Sequence, residues 1–322
     1  MATISVRDSD ILIETDLLSA TIHTAGYVSG VGAGTLLDKT TGARDLGFGL
    51  DIADFLMQPL PDEPGVAEPY HTGDAYHGNL LKRYVELPQI CTQARELPYE
   101  LLAGEGWVGV RQWYRYPQAQ YMKQAGSLWE QTLVFRDGRR YLLSRDRLTS
   151  ANAVDQLLFR LDMPGHLKHD GADSFAQIYL SYQTIGGEEA VTLLPAESFL
   201  DDFPPDGGNL YQRGVCPLPE RMIRAYQVRL EGRPGPWLGG LTLPAEAVYE
   251  AWCHQRGYVC FIQELGGRDV QEGETFGAMH VVGWFDDIEQ MNAVYDAHKG
   301  VDLDTPLERF LVVPPKNGVW GL

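Results

Sequence analysis

The sequence predicts an all-β sandwich with a few short helices. Short runs rich in β-branched and aromatic residues recur along most of the chain. Gly, Pro and Asp-Gly turn signals separate them, and only two segments carry a helical pattern. At 322 residues, 44% hydrophobic and 11% aromatic, the chain can build an extended core, and one body over residues 1–322 is the expected organisation.

The amino-terminal third opens strand-turn-strand. "ILIET" and "LSATIH" read as strands, followed by the turn-rich "GYVSGVGAG" and "DKTTGARDLGFGL". Further on, "GWVGVRQWYRY" and "SLWEQTLVF" are strands by composition, and the Asp-Gly in "RDGRR" turns the second into "YLLSRDRLTS". "DMPGHLKHDGADSF" and "DDFPPDGGNLYQRGVCPLPE" read as loops from their Pro and Gly content, the second docked by Phe199, Phe203 and Tyr211. Two helices are expected. "PAEAVYEAWCHQRG" has Pro244 in a first turn and Gly257 as its stop. "DDIEQMNAVYDAHKG" has Asp286 as cap, Glu289 reaching back and Gly300 at its end, with Ile288, Met291, Val294, Tyr295 and His298 on one side.

Charge and composition narrow the function classes. A formal charge of −18 repels phosphate backbones and argues against nucleic acid, although arginines in a cleft would still accept an anionic sugar. No apolar run is long enough to span a bilayer, so no membrane partner is expected. The first residues, "MATISVRDSDILIET", carry no basic leader and no small-residue cleavage site, which points to a cytoplasmic protein. Cys91, Cys216, Cys253 and Cys260 lie apart with no C-x-x-C unit and read as reduced, mostly buried thiols. The sequence is compatible with a homo-oligomer without specifying one.

Several groups could carry chemistry. In "DAYHGNLLKRYVELPQICTQAR", Gly78 lets the backbone approach a ligand beside His77, while Asn79 and Arg83 offer hydrogen bonds to hydroxyls. The plainer reading is a turn, with Arg83 paired to Glu86. His166 and His169, three apart in "PGHLKHD", would share a helical face and could hold a divalent metal, but Pro164-Gly165 disfavours the helix and no third ligand is specified; no cofactor is therefore expected. Either histidine could serve as a general acid, or as neither acid nor ligand on a surface loop.

Glu264 in "YVCFIQEL" shares a strand face with Tyr258, Cys260 and Ile262, a row apolar enough to raise a carboxyl pKa, unless Glu264 sits solvated at the strand end. Arg111, Trp113 and Arg115 project together from "RQWYRY", an indole between two guanidiniums suited to a sugar, or simply neutralising nearby acids. Tyr179 and Tyr182 could bind likewise, though aromatic residues in strands are more often core.

Taken in order, "GARDLGFG", the His-Gly unit near residue 77, the central histidines and "VCFIQELGGRDVQEGETF" resemble the galactose mutarotase or aldose 1-epimerase superfamily. In that superfamily a late strand carries a catalytic glutamate ahead of a "GE(T/S)" step, which Glu264 and the "EGET" at 272–275 match. The resemblance implies a β-supersandwich of large antiparallel sheets acting on a mono- or oligosaccharide. Carried over, Glu264 would be the base at the anomeric hydroxyl, His166 or His169 the acid at the ring oxygen, and His77 and Arg83 contacts to substrate hydroxyls. The chain departs from the family at its middle histidine, with "MPGHLKH" in place of an Asn-His-Thr-Tyr string. The same sandwich also serves polysaccharide lyases, where Tyr179, Tyr182, Arg111 and Arg115 could support β-elimination on a uronate or oxidised sugar. Non-catalytic sugar binding is the third reading.

Overall fold

The computed structural model describes residues 1–28, 30–60, 82–168, 174–185, 192–202, 209–255 and 257–306. It is 58% strand and 9% helix, and its strands pair antiparallel throughout the three sheets. Alternation of buried and partly exposed residues in Asp10–Glu14 and Leu18–His23 sets the register of a small sheet completed by Thr3–Arg7 and Leu37–Asp38.

Two large sheets form the body. The first contains eight strands among the described residues. Its spine is Lys82–Leu87, Gly47–Pro59, Val154–Leu167, Val259–Val270 and Val248–Gln255 in spatial order. The second contains nine, with Met222–Leu230, Arg233–Leu243, Thr275–Phe285, Tyr141–Thr149, Leu128–Arg136 and Trp107–Arg115 as neighbours. Side chains at alternate positions of both, including Phe159, Leu161, Phe261 and Leu265 from the first and Val108, Val110, Leu133 and Leu142 from the second, merge in one apolar core. The outer face of the second sheet is covered by the helix Ile288–His298, whose Met291 and Tyr295 pack with Leu241, Met279 and Val281.

That helix is the one expected, with its cap shifted by one residue. Asp287 accepts from Gln290 N, and the Gln290 side chain accepts from Asp286 N, so Gln290 and not Glu289 reaches back. The Asp-Gly hairpin also forms as expected, with Leu128–Arg136 paired to Tyr141–Thr149. All four cysteines are buried and unpaired.

Two expectations are corrected. Residues 244–257 are not a helix: a single 3-10 turn at Ala245–Ala247 leads into the strand Val248–Gln255, which pairs with Val259–Val270 around Gly257 at φ 71°. The "DMPGHL" segment is not a loop either. It is the end of the fourteen-residue strand Val154–Leu167, with register shifts on both sides of Pro164. Gly165 is what allows this: a Cβ there would lie 2.1 Å from the Gly49 carbonyl oxygen of the adjoining strand. Among the described residues no helix is long and apolar enough to cross a membrane.

Candidate functional site

The strand Val259–Val270 alternates strictly. Phe261 and Leu265 enter the core between the sheets, which turns Cys260, Ile262 and Glu264 to the opposite, outer face of the first sheet. Glu264 therefore sits mid-strand, 0% exposed, rather than solvated at a strand end.

Register builds a charged row around it. Arg160 is the antiparallel partner of Glu264, with Nη2 2.7 Å and Nε 3.2 Å from Oε1. Lys82 Nζ, from the strand three places away, lies 2.7 Å from Glu264 Oε2 and donates to Glu250 Oε2 at 2.7 Å. All four side chains are sealed from solvent. Trp252 closes the group from below, with Lys82 and Arg160 5.1 and 5.2 Å from its ring centroid. Such a network persists because each buried charge has an opposite partner.

The row continues along Val154–Leu167. Asp162 follows Arg160 on the same face, and His166 Nε2 approaches Asp162 Oδ2 to 2.6 Å. Burial alone would lower the His166 pKa, but the Asp162 carboxylate, with a smaller contribution from Cys260, carries it well above its ordinary value. Asp54, from Gly47–Pro59, accepts from Gln89 Nε2 and from Cys91 Sγ at 3.9 Å. Burial first, and the neighbouring Asp162 charge second, hold its carboxyl at about 7. Burial likewise pushes the Cys91, Cys260 and Tyr27 groups up, which keeps thiols and phenol protonated.

Aromatic rings edge the histidine end. Tyr258 lies 5.2 Å from the His166 ring and 5.2 Å from Phe48. Tyr258 and Tyr27 are 38% and 37% exposed, whereas Glu264 is inaccessible, so the His166 end of the row is the one open to solvent. Charged groups that exchange protons, beside exposed ring faces, suit a polyhydroxylated ring whose hydroxyls hydrogen-bond while its C–H face packs.

Of the residues singled out from sequence, Glu264 and His166 share this face. His77, Asn79 and His169 lie outside the described residues. Arg83 alternates with Lys82, its guanidinium 4.6 Å from the Tyr121 ring. Arg111, Trp113 and Arg115 do not join the row. Val108 and Val110 of their strand enter the inter-sheet core, so these three point outward from the second sheet, on the far side of the sandwich from Glu264. Arg111 pairs with Glu130 and Glu100 and stacks 5.6 Å over Trp113, while Arg115 donates to the Gly126 carbonyl at 2.6 Å. Tyr179 and Tyr182 are core: the first packs edge-on against Trp237, and the second lies tilted against Tyr211.

Lys82, Glu250, Arg160 and Asp54 were not anticipated. The "RLD" of "LLFRLDMPGH" held a usable signal, since its arginine and aspartate fall on one face of a strand at period two.

No family model and no curated protein sequence matches the chain. Solved structures do resemble it. Galactose 1-epimerase from Lactobacillus acidophilus NCFM is 11% identical, with 89% of this chain and 98% of that chain covered, at a TM-score of 0.46. Alpha-N-acetylgalactosaminidase from Bifidobacterium bifidum, in its GalNAc complex, is 12% identical over 92% of this chain and 38% of its own, at 0.46. The 4-alpha-glucanotransferase from Thermococcus litoralis is 10% identical over 88% of this chain and 39% of its own, at 0.38. The chain spans under half the length of the two larger enzymes. At these identities and TM-scores the likeness carries no activity, substrate or residue role, and the sandwich architecture rests on the sheets themselves.

Proposed function

We propose that the chain is a carbohydrate-active enzyme of mutarotase or epimerase type, exchanging protons with the ring of an aldose. The observation that supports this is the single row of Glu264, Arg160, Asp162, Asp54 and His166 on the outer face of the first sheet, open at its histidine end between Tyr27 and Tyr258.

In this reading His166, kept protonated by Asp162, delivers a proton to the ring oxygen. A carboxylate removes the proton of the anomeric hydroxyl, the bond from the anomeric carbon to the ring oxygen breaks, and the open aldehyde recloses on its other face. Asp54, with a pKa of about 7, has the proton affinity that a base near neutrality needs. Glu264 is the base that the resemblance implies, but both its oxygens are engaged by Arg160 and Lys82, which suits a fixed charge ordering the row. The lyase reading loses its named participants, because Arg111 and Arg115 point away from this face and Tyr179 and Tyr182 are core.

Polarimetry on a panel of freshly dissolved aldoses tests the proposal. The enzyme is expected to accelerate mutarotation of at least one, with His166→Gln and Asp54→Asn each reducing kcat by about 100-fold or more. Acceleration that is undiminished in both variants overturns the assigned roles. An ultraviolet-absorbing product from a uronate would favour the lyase, and saturable binding of sugars with no chemical change would favour a binding protein.

A further inference from the structure

A second polar cluster lies inside the sandwich, on the other face of the first sheet, and the row above makes no use of it. Asp51 of Gly47–Pro59 meets Asp146 of Tyr141–Thr149 and His280 of Thr275–Phe285, all sealed from solvent. One ligand atom from each lies within 4.8 Å of the others. Ser144 donates to Asp51 and stands 3.3 Å from Asp146 Oδ2; Trp129 and Gln131 donate to Asp146 Oδ1 at 2.9 and 3.2 Å. Among the described residues, no lysine or arginine lies within ion-pair distance of either carboxylate.

With the Gln263 amide oriented as it is, the partners of His280 set its tautomer. Thr242 Oγ1 donates to Gln263 Oε1 at 3.0 Å, which leaves it to accept from His280 Nδ1 at 3.2 Å. Nδ1 then carries the proton, and Nε2 presents a bare lone pair 3.7 Å from Asp146 Oδ2. Nε2 and Asp51 Oδ1 are both buried without a hydrogen-bond partner. A lone pair aimed at carboxylate oxygens, with no proton between them, is an arrangement that a cation resolves. Ligands about 2.1 Å from one ion at tetrahedral angles stand roughly 3.4 Å apart, close to the 3.7 Å between His280 Nε2 and Asp146 Oδ2.

We infer that Asp51, Asp146 and His280 bind a divalent transition-metal ion between the two sheets, with the Ser144 hydroxyl as a further donor. The charges of the cluster itself close: two carboxylates and a neutral imidazole around a dication sum to zero. Two oxygens and one nitrogen of borderline softness suit zinc, manganese or ferrous iron. The site ties one strand of the first sheet to two of the second, and its three ligands are distinct from the residues of the proposed sugar site.

The protein produced in medium supplemented with zinc, manganese and cobalt, and purified without chelator, should hold close to one metal per chain by elemental mass spectrometry. Asp146→Asn and His280→Gln should each lose it, and cobalt-loaded wild type should show ligand-field absorption that both variants lack. Wild type refolded with each ion should melt higher than wild type refolded with chelator. Metal-free wild type, or unchanged melting with all three ions, would show that the carboxyls share a proton instead and overturns the inference. This wild-type comparison decides the matter even if neither variant folds.

Discussion

Arg160 and Glu264 stand opposite each other on adjoining antiparallel strands, Nη2 2.7 Å from Oε1, with both side chains excluded from water. Glu264 also neutralises Lys82, so one carboxylate serves two buried cations. Glu264→Gln is therefore expected to destabilise the fold by about 3–5 kcal/mol, because it strands positive charge in the interior. Urea unfolding measures this. Lys82→Met combined with Glu264→Gln should lose less than the sum of the two single variants, since the pair is removed together. Additive losses would mean that the two charges are not coupled. Activity lost in Glu264→Gln must accordingly be corrected for the folded fraction before any catalytic role is read from it.

His166 holds its proton above the ordinary imidazole range, despite burial that favours the neutral form, because of Asp162. A raised folded-state pKa gives a stability contribution that is complete below the unfolded value of 6.5 and disappears as pH rises through the folded value. Wild type should thus lose its advantage over His166→Gln on the alkaline side. Asp162→Asn should bring the imidazole titration, followed by NMR, down towards or below 6.5. An imidazole that titrates normally in wild type contradicts the ion pair.

Asp54 behaves oppositely to a salt-bridged carboxylate. Its pKa rises from 3.8 to about 7, so the folded state binds more protons across that window and stability falls as pH rises through it. Asp54→Asn removes this penalty. Its thermal stability relative to wild type should be more favourable at about pH 8 than at about pH 4, and calorimetry at the two values checks the difference. A difference independent of pH would place the titration elsewhere.

Arg140 binds Asp38 through two nitrogens, at 3.2 and 2.7 Å, and Asp286 at 2.5 Å. Burial alone would raise the Asp38 pKa, but these contacts and Thr41 lower it, giving stability that is present above 3.8 and lost as pH falls through the lowered value. Arg140→Met is expected to cost about 3 kcal/mol and to move acid unfolding to higher pH. Circular dichroism through an acid titration would show it, and an unmoved midpoint would refute it.

Much of the architecture was legible because local signals agreed with it. The Asp-Gly hairpin and the carboxy-terminal helix needed only turn chemistry, capping and periodicity. Residues 248–255 misled because Ala and Glu favour helix, whereas the segment is buried on both faces in a sheet, and tertiary context overrode the preference. Pro164-Gly165 read as a loop because the sequence does not show Gly165 facing the backbone of Gly49. At the site, period two placed Glu264 with Cys260 and Ile262. Its partners Arg160 and Lys82 lie 104 and 182 positions earlier in the chain, and only strand order brings them in. Asp54 was hidden inside a run that reads as ordinary buried strand.

The Arg140 clamp also bears on how the molecule comes apart. Its guanidinium joins the small amino-terminal sheet, through Asp38, to the turn that starts the last helix, through Asp286. Fraying of either region takes one of its two carboxylate partners from Arg140. Amide hydrogens at these two sequence-remote places should then exchange with deuterium as one cooperative group, and release of the first forty residues should be registered at the helix before the sandwich opens.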